Sequence, residues 1–298
     1  MQTEGAVGFL RSMIKKWSQS SSHPSVSVIS LPTPRAVPPK IGLALGGGFA
    51  RGVAHVGILR ALEHENIPIH CIAGVSAGAI VAAAYASGTE VEEIGKIGCA
   101  MRFADVARWS ICRLGLVRSE RMAAFLRRLL KKFNFEEMEL PLGILATDLG
   151  TGESVPFREK GDVIVPIRAS CSYPGLFRPI HHQDRLLVDG AMSMEVPALL
   201  ARKMGATHVI SVCLPMQRLA VAPQNMLQVI NRCFQILQSR TEDDWRKDSD
   251  LVVTPDVTGV QWDAFESGPK LIDAGEKALA AVLPKIKSWL VPAERPAA

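Results

Sequence analysis

The chain is 298 residues long, 48% hydrophobic and 21% charged, with a formal charge of +5. That length holds one large α/β domain or two small ones, with a substantial core. The mild positive excess lacks an aromatic-interleaved basic face, which excludes a dedicated nucleic-acid binder. Six cysteines without a CxxC pair or metal-like spacing read as reduced core thiols in a reducing compartment.

Residues 1–39 stand apart from the rest. Within residues 7–17, Phe9, Leu10, Met13, Ile14 and Trp17 share one helical face, with Arg11, Lys15 and Lys16 towards the other. Such a segment reads as an interfacial membrane helix, or as a helix docked on its own domain or a frayed terminus. Ser18 to Ser22, followed by Pro24, Pro32, Pro34, Pro38 and Pro39, makes a Ser/Pro-rich linker. The longest near-apolar run, Gly78 to Ala86, has about half the length that a bilayer needs. Glu4 and the interrupting Arg11, Lys15 and Lys16 do not follow the order of a signal peptide. The expected location is cytoplasmic, at the inner face of the membrane if residues 7–17 bind lipid.

From Lys40 strands and helices alternate. Strand Ile41–Leu45 leads through a Gly-rich loop to a helix from about Val53 to Glu65. Strand Ile69–Ala73 leads to a turn and the Ala-rich helix Ala77–Ala86, closed by Ser87-Gly88. A basic helical section lies around Arg118–Phe133, then strand Leu142–Leu149 with a hairpin partner at Ser154–Phe157. A helix is predicted near Asp162–Cys171, a strand at Arg185–Val188, a helix at about Val196–Met204 and a strand at Thr207–Cys213. Helix Met226–Leu237, strand Leu251–Val253 and helix Pro269–Leu283 complete the pattern. Strands separated by helices imply an α/β fold with a mainly parallel sheet covered on both faces. No internal repeat is visible.

The most informative stretch is Gly74-Val75-Ser76-Ala77-Gly78, between a strand and a helix. A serine there sits on a sharp turn with its hydroxyl outward, facing the helix N-terminus, as a nucleophile requires. Upstream, Gly46-Gly47-Gly48-Phe49-Ala50-Arg51-Gly52 also joins a strand to a helix. It departs from the dinucleotide fingerprint, since Arg51 occupies the third glycine's place, and it lacks the Lys-Ser/Thr of a phosphate loop. What remains is an oxyanion hole, in which consecutive backbone N–H groups converge on a substrate carbonyl. Arg51 is expected to fix that loop or to meet an anionic head group.

The nucleophile needs a base. The histidines after Ser76 are His181, His182 and His208; the first two fall in a polar turn and the third at a strand entry, so all read as structural. Asp189 ends the strand Leu186-Leu187-Val188 and precedes Gly190, at the carboxyl edge where open α/β sites gather. Burial beside a serine hydroxyl raises a carboxylate's basicity enough for general-base work.

The blocks Gly46–Gly52, Gly74–Gly78 and Asp189-Gly190-Ala191, with Ala169–Phe177 between them, resemble the patatin-like phospholipase family. The match is closest to its bacterial and neuropathy-target-esterase-like branch and runs from about Lys40 to Leu290. The resemblance implies a three-layer α/β/α fold with no cofactor or metal. It implies a dyad of Ser76 as nucleophile and Asp189 as base, and an oxyanion hole from the N–H groups of Gly46, Gly47 and Gly48. Arg51, Gly52, Gly74, Gly78 and Gly190 would support the site. Phe49 and Ala191 stand where many members carry glycine; Phe49 would narrow the acyl entrance. The expected division is an N-terminal segment and linker (1–39), an acyl hydrolase domain (40–290) and a short tail (291–298). The expected substrate is a phospholipid, lysophospholipid or simpler acyl ester. An acyltransferase on the same dyad and a non-enzymatic lipid-binding adaptor are the alternatives.

Overall fold

Alternation along the strand Ile41–Leu45 (β1) sorts the two faces of the central sheet. Ile41, Leu43 and Leu45 point to one side, where they join Ile58, Leu59, Ala82 and Leu271 in the main core. Gly42 and Ala44 point to the other, beside Cys71, Ala73, Leu200 and Ala201. Small residues bring the covering helix and the loop after it close: a Cβ on Gly42 would lie 3.3 Å from Ala201 Cβ and 2.6 Å from Ala206 Cβ. The computed structural model describes residues 38–215 and 222–291. The amphipathic segment 7–17, nearly all of the linker and residues 292–298 lie outside the described residues.

Among the described residues there are ten strands, interspersed with helices except for three consecutive pairs, and eight of them form one sheet. Strands β10 (Leu251–Val253), β9 (His208–Val212), β1, β2 (Cys71–Gly74) and β5 (Leu142–Asp148) are parallel, in that order. On the far side, β6 (Ser154–Arg158), β8 (Arg185–Asp189) and β7 (Ile180–His182) run antiparallel to their neighbours. The main core holds helices Ala54–His64, Ala77–Ala86, Val91–Ala100 and Gly268–Ala280 on one face. Helix Ala198–Lys203 and the end of helix Met226–Arg246, through the buried Trp245, cover the other. The expected three-layer α/β/α arrangement with a mainly parallel sheet is therefore present.

Helices Ala54–His64 and Gly268–Ala280 cross at Gly57 and Gly275, where no side chain comes between the two backbones. A Cβ at Gly57 would fall 1.9 Å from the Ile272 carbonyl oxygen, and one at Gly275 would fall 2.1 Å from that of Ala54. Both positions need glycine because backbone lies against backbone.

Several elements differ from the sequence reading. Strand β2 begins two residues later than expected, and helix Met226–Arg246 runs nine residues past Leu237. A two-stranded hairpin, β3 (Arg108–Cys112) and β4 (Gly115–Arg118), precedes helix Glu120–Leu129. Among the described residues no helix is long and apolar enough to cross a membrane.

Candidate active site

The register of β5 sets the site's geometry. Its residues Gly143 to Thr147 pair with β6 along one edge. On the other edge, Ile144 pairs with Gly74 of β2, and Ala146 pairs with Asp189 of β8. Strands β2 and β8 therefore share an edge and run towards each other. The chain that leaves β2 as Val75-Ser76 emerges level with the end of β8. Asp189 does lie at the height of the carboxyl ends of β1 and β2, but on an antiparallel strand, a direction that sequence does not reveal.

Ser76 is held in a rare backbone conformation, φ 53° and ψ −123°, at the start of helix Ala77–Ala86. A β-free residue would adopt it easily; for serine it stores strain of about 1–3 kcal/mol that the surroundings must hold. They do so by close approach. A Cβ on Gly78 would fall 2.3 Å from the Leu45 carbonyl oxygen, and one on Gly74 would fall 2.5 Å from that of Gly78. The Ser76 N–H donates to Ser170 Oγ at 2.9 Å, and that hydroxyl donates to the Leu145 carbonyl at 2.6 Å. Ser170 thus straps the turn to β5.

Asp189 is 1% exposed. Its Oδ1 accepts the Ala191 N–H at 2.9 Å, while Oδ2 is buried without a hydrogen-bond partner of ordinary geometry among the described residues. Burial raises its pKa to about 7; the Ala191 N–H and the nearby Ser76 hydroxyl oppose the rise. A carboxylate whose pKa is raised towards neutrality is better suited to accept a proton than a free one. The thiol of Cys171, also beside Ser76, is pushed well above its usual pKa by burial and by the Asp189 charge, so it stays protonated.

The three glycines of the upstream loop are not equivalent. Gly46 N–H donates to the Val212 carbonyl at 3.0 Å, which commits it to the sheet. The expectation that it joins an oxyanion hole is corrected on this ground. The N–H groups of Gly47 and Gly48 have no acceptor among the described residues, and a Cβ on Gly47 would lie 3.4 Å from Ser76 Cβ. The Gly46 carbonyl lies 2.9 Å from Nε2 of His55, which is fully buried and has its pKa lowered to about 4 by that burial. A neutral ring leaves Nε2–H as the donor there. Because N–H and C=O point oppositely across a trans peptide, holding the Gly46 carbonyl aims the Gly47 N–H away from His55.

Of the expected supporting residues, Gly190 and Gly52 are also packed against backbone or Cβ: a Cβ on Gly190 would fall 2.1 Å from the Leu145 carbonyl oxygen, and one on Gly52 would fall 2.5 Å from Ala77 Cβ. Arg51 is 4% exposed; Nη1 donates to the Pro215 carbonyl at 3.3 Å, and burial lowers its pKa. Its bond ties the glycine loop to the segment after β9. His208 sits at the opposite end of the sheet, paired with Ile41 and stacked on Trp289, and His181 and His182 lie on β7.

A cavity lined by Gly47, Gly48, Phe49, Ser76, Tyr173 and Asp189 opens onto these groups. Glu195 also lines it, a largely buried carboxylate whose pKa burial and the neighbouring Glu242 raise to about 7. Through Ala191 and Gln238 this cavity borders a roomier one of about 380 Å³, walled by Leu149, Met192, Phe234 and Leu237. His55, Ser170 and Glu195 were missed as site residues; only Ser170, inside the Ala169–Phe177 block, carried a sequence signal. Among the described residues no cluster of three or more His, Cys, Asp or Glu is placed to hold a metal.

A family model described as patatin-like phospholipase matches residues 43–202. An uncharacterized NTE family protein of Mycobacterium tuberculosis is 34% identical over 179 residues, 59% of this chain and 49% of that protein. The lysophospholipase NTE1 of Mycosarcoma maydis is 31% identical over 180 residues, 58% of this chain and 9% of that protein. The chain spans about half the length of the mycobacterial relative. Among solved structures, VipD from Legionella pneumophila superposes with a TM-score of 0.60 at 12% identity, covering 84% of this chain and 67% of that one.

Proposed function

The chain belongs to the patatin-like phospholipase family, and on that premise we propose that it hydrolyses acyl esters of lipids through Ser76 and Asp189. The observation that carries this reading is the buried Asp189 Oδ2, without a hydrogen-bond partner of ordinary geometry among the described residues, beside a serine held in a strained turn. Ser76 Oγ attacks the ester carbonyl as its proton passes to Asp189. The oxyanion faces the N–H groups of Gly47 and Gly48, each worth on the order of 10²–10³ in rate. Collapse expels the alcohol, which takes the proton from Asp189 and leaves the acyl group on Ser76. Water then attacks the acyl-enzyme and gives a proton to Asp189; as the Ser76–acyl bond breaks, Ser76 Oγ takes that proton back and the fatty acid leaves.

The neighbouring cavity supports a hydrocarbon substrate. Its volume of about 380 Å³ and apolar walls fall in the ordinary range for small-molecule sites, about 300–1,000 Å³. Helix Ala77–Ala86 is buried core and lines neither cavity. The NTE1 relative's name supports a lysophospholipid among the substrates.

The test is fatty-acid release from lysophosphatidylcholine, phosphatidylcholine and a short-chain p-nitrophenyl ester, wild type against Ser76→Ala. Release that disappears in the variant is expected. Undiminished release by the variant, or none from wild type on all three, would sink the reading.

A further inference from the structure

The hairpin β3–β4 presents a combination of side chains that the catalytic site does not use. Residues 106–119 carry three arginines, Arg108, Arg113 and Arg118, and no acid. All three are exposed, and among the described residues none forms an ion pair. Trp109 is 65% exposed and Leu114, at the turn, is 60% exposed. A globular surface has little reason to leave so large an apolar ring in water on a hairpin edged by unpaired guanidinium groups; Arg108 lies opposite Arg118, and Trp109 opposite Val117 in the next row. Bilayer interfaces reward that mixture: tryptophan settles at the headgroup level, and arginine is drawn to anionic lipid.

The hairpin is tied to the mouth of the nucleophile cavity by two routes. The Trp109 ring packs 6.2 Å from Phe103, which packs 6.1 Å from Trp262, which packs 5.2 Å from Phe49. Phe49 lines the cavity and meets Tyr173 at 5.1 Å. Separately, Leu116 and Val117 N–H donate to the Leu176 carbonyl, and Arg178 N–H donates to that of Val117. Segment 176–178 follows Tyr173-Pro174-Gly175 directly, so β4 is fastened to the loop that carries a cavity wall. A surface that grips the hairpin is therefore held beside the entrance.

We propose that the β3–β4 hairpin, through Arg108, Arg113, Arg118 and Trp109, docks the protein on an anionic lipid bilayer with the mouth of the nucleophile cavity against it. The proposal rests on the reading of the chain as a lipid acyl hydrolase, which supplies the reason for a bilayer to be the occupant. Charge complementarity favours anionic lipid, and the exposed tryptophan favours a surface that it can enter.

The test uses the full chain and phosphatidylcholine vesicles with or without phosphatidylglycerol. Wild type is expected to cosediment with the anionic vesicles and to be released as salt approaches about 1 M, where the Debye length is about 3 Å. Each arginine near such a surface contributes about fivefold in partitioning. The triple change Arg108→Gln, Arg113→Gln, Arg118→Gln is thus expected to weaken partitioning about a hundredfold. Trp109→Ala should weaken it several-fold. Both variants should hydrolyse the dissolved short-chain ester at the wild-type rate, which shows that they fold. Variants that partition like wild type would overturn the proposal, and so would a wild type that ignores anionic vesicles; either result fits a hairpin that docks on a protein or on a second copy. Hairpin-dependent partitioning without turnover of any ester would uphold the docking surface and overturn the hydrolase reading.

Discussion

Replacing Asp189 with asparagine separates the demands of catalysis from those of folding. The carboxyl's pKa rises from 3.8 in the free residue to about 7 in the folded protein, chiefly by burial. The folded state therefore binds this proton more tightly than the unfolded chain does. Its contribution to stability is complete below about pH 4 and is lost as pH rises to about 7. At about 1.4 kcal/mol for each tenfold change in proton affinity, the ionised carboxylate costs roughly 4 kcal/mol at pH 8. Asparagine keeps an oxygen for the Ala191 N–H and carries no charge. Asp189→Asn should thus be about 4 kcal/mol more stable than wild type at pH 8, and less than about 2 kcal/mol more stable at pH 5. Urea denaturation followed by circular dichroism at the two pH values measures this. His55, whose pKa is lowered to about 4, titrates in the opposite sense, but it is common to both proteins and cancels in the difference. The same variant should lose about 10²–10⁴ in kcat/KM, and wild-type kcat/KM should rise through about pH 7 as the base ionises. A stability difference that does not change with pH would refute the buried, ionisable Asp189.

Three further changes probe the scaffold. Ser170→Ala leaves the Ser76 N–H and the Leu145 carbonyl without their shared partner; a loss of about 1–3 kcal/mol in thermal unfolding and a lower kcat are expected, and an unchanged kcat would show that the strap is idle. Gly78→Ala improves helix propensity, yet its Cβ would sit 2.3 Å from the Leu45 carbonyl oxygen. It should destabilise by about 1–3 kcal/mol, and a raised urea midpoint would contradict the packing. His208→Ala alters the far end of the sheet and should leave ester hydrolysis within about twofold of wild type, since changes distant from a site act weakly; a silent enzyme would move the base away from Asp189.

Legibility in the sequence followed composition. Ile41–Leu45 and Ala77–Ala86 were plain because an apolar run and an alanine run each allow one reading. Helix Val91–Ala100 was not, because Gly95 and Gly98 depress its propensity; Gly95 instead lies against Val56 and Ile272, so packing decides. The hairpin at residues 108–118 has no Gly/Asn/Pro turn of the usual kind, and its register shifts between Trp109 and Cys112. Ser76 and Asp189 stood out because a glycine-flanked turn and a strand-end Asp-Gly leave local marks. His55 left none: its partner, the Gly46 carbonyl, gives no residue-type signal. The commitment of the Gly46 N–H to Val212 was equally invisible, since it depends on β9 lying beside β1.

The order of synthesis gives the glycine-to-glycine crossing of helices Ala54–His64 and Gly268–Ala280 a temporal meaning. A chain emerges N-terminus first, so Ser76 leaves the ribosome long before Val212 can anchor Gly46 or Gly275 can press on Ala54. Contacts between such distant parts of the chain form slowly. The serine turn therefore waits for a loop that only the last third of the chain can hold in place. The packing that secures this turn is thus completed late in synthesis, once Gly275 has emerged to meet Ala54.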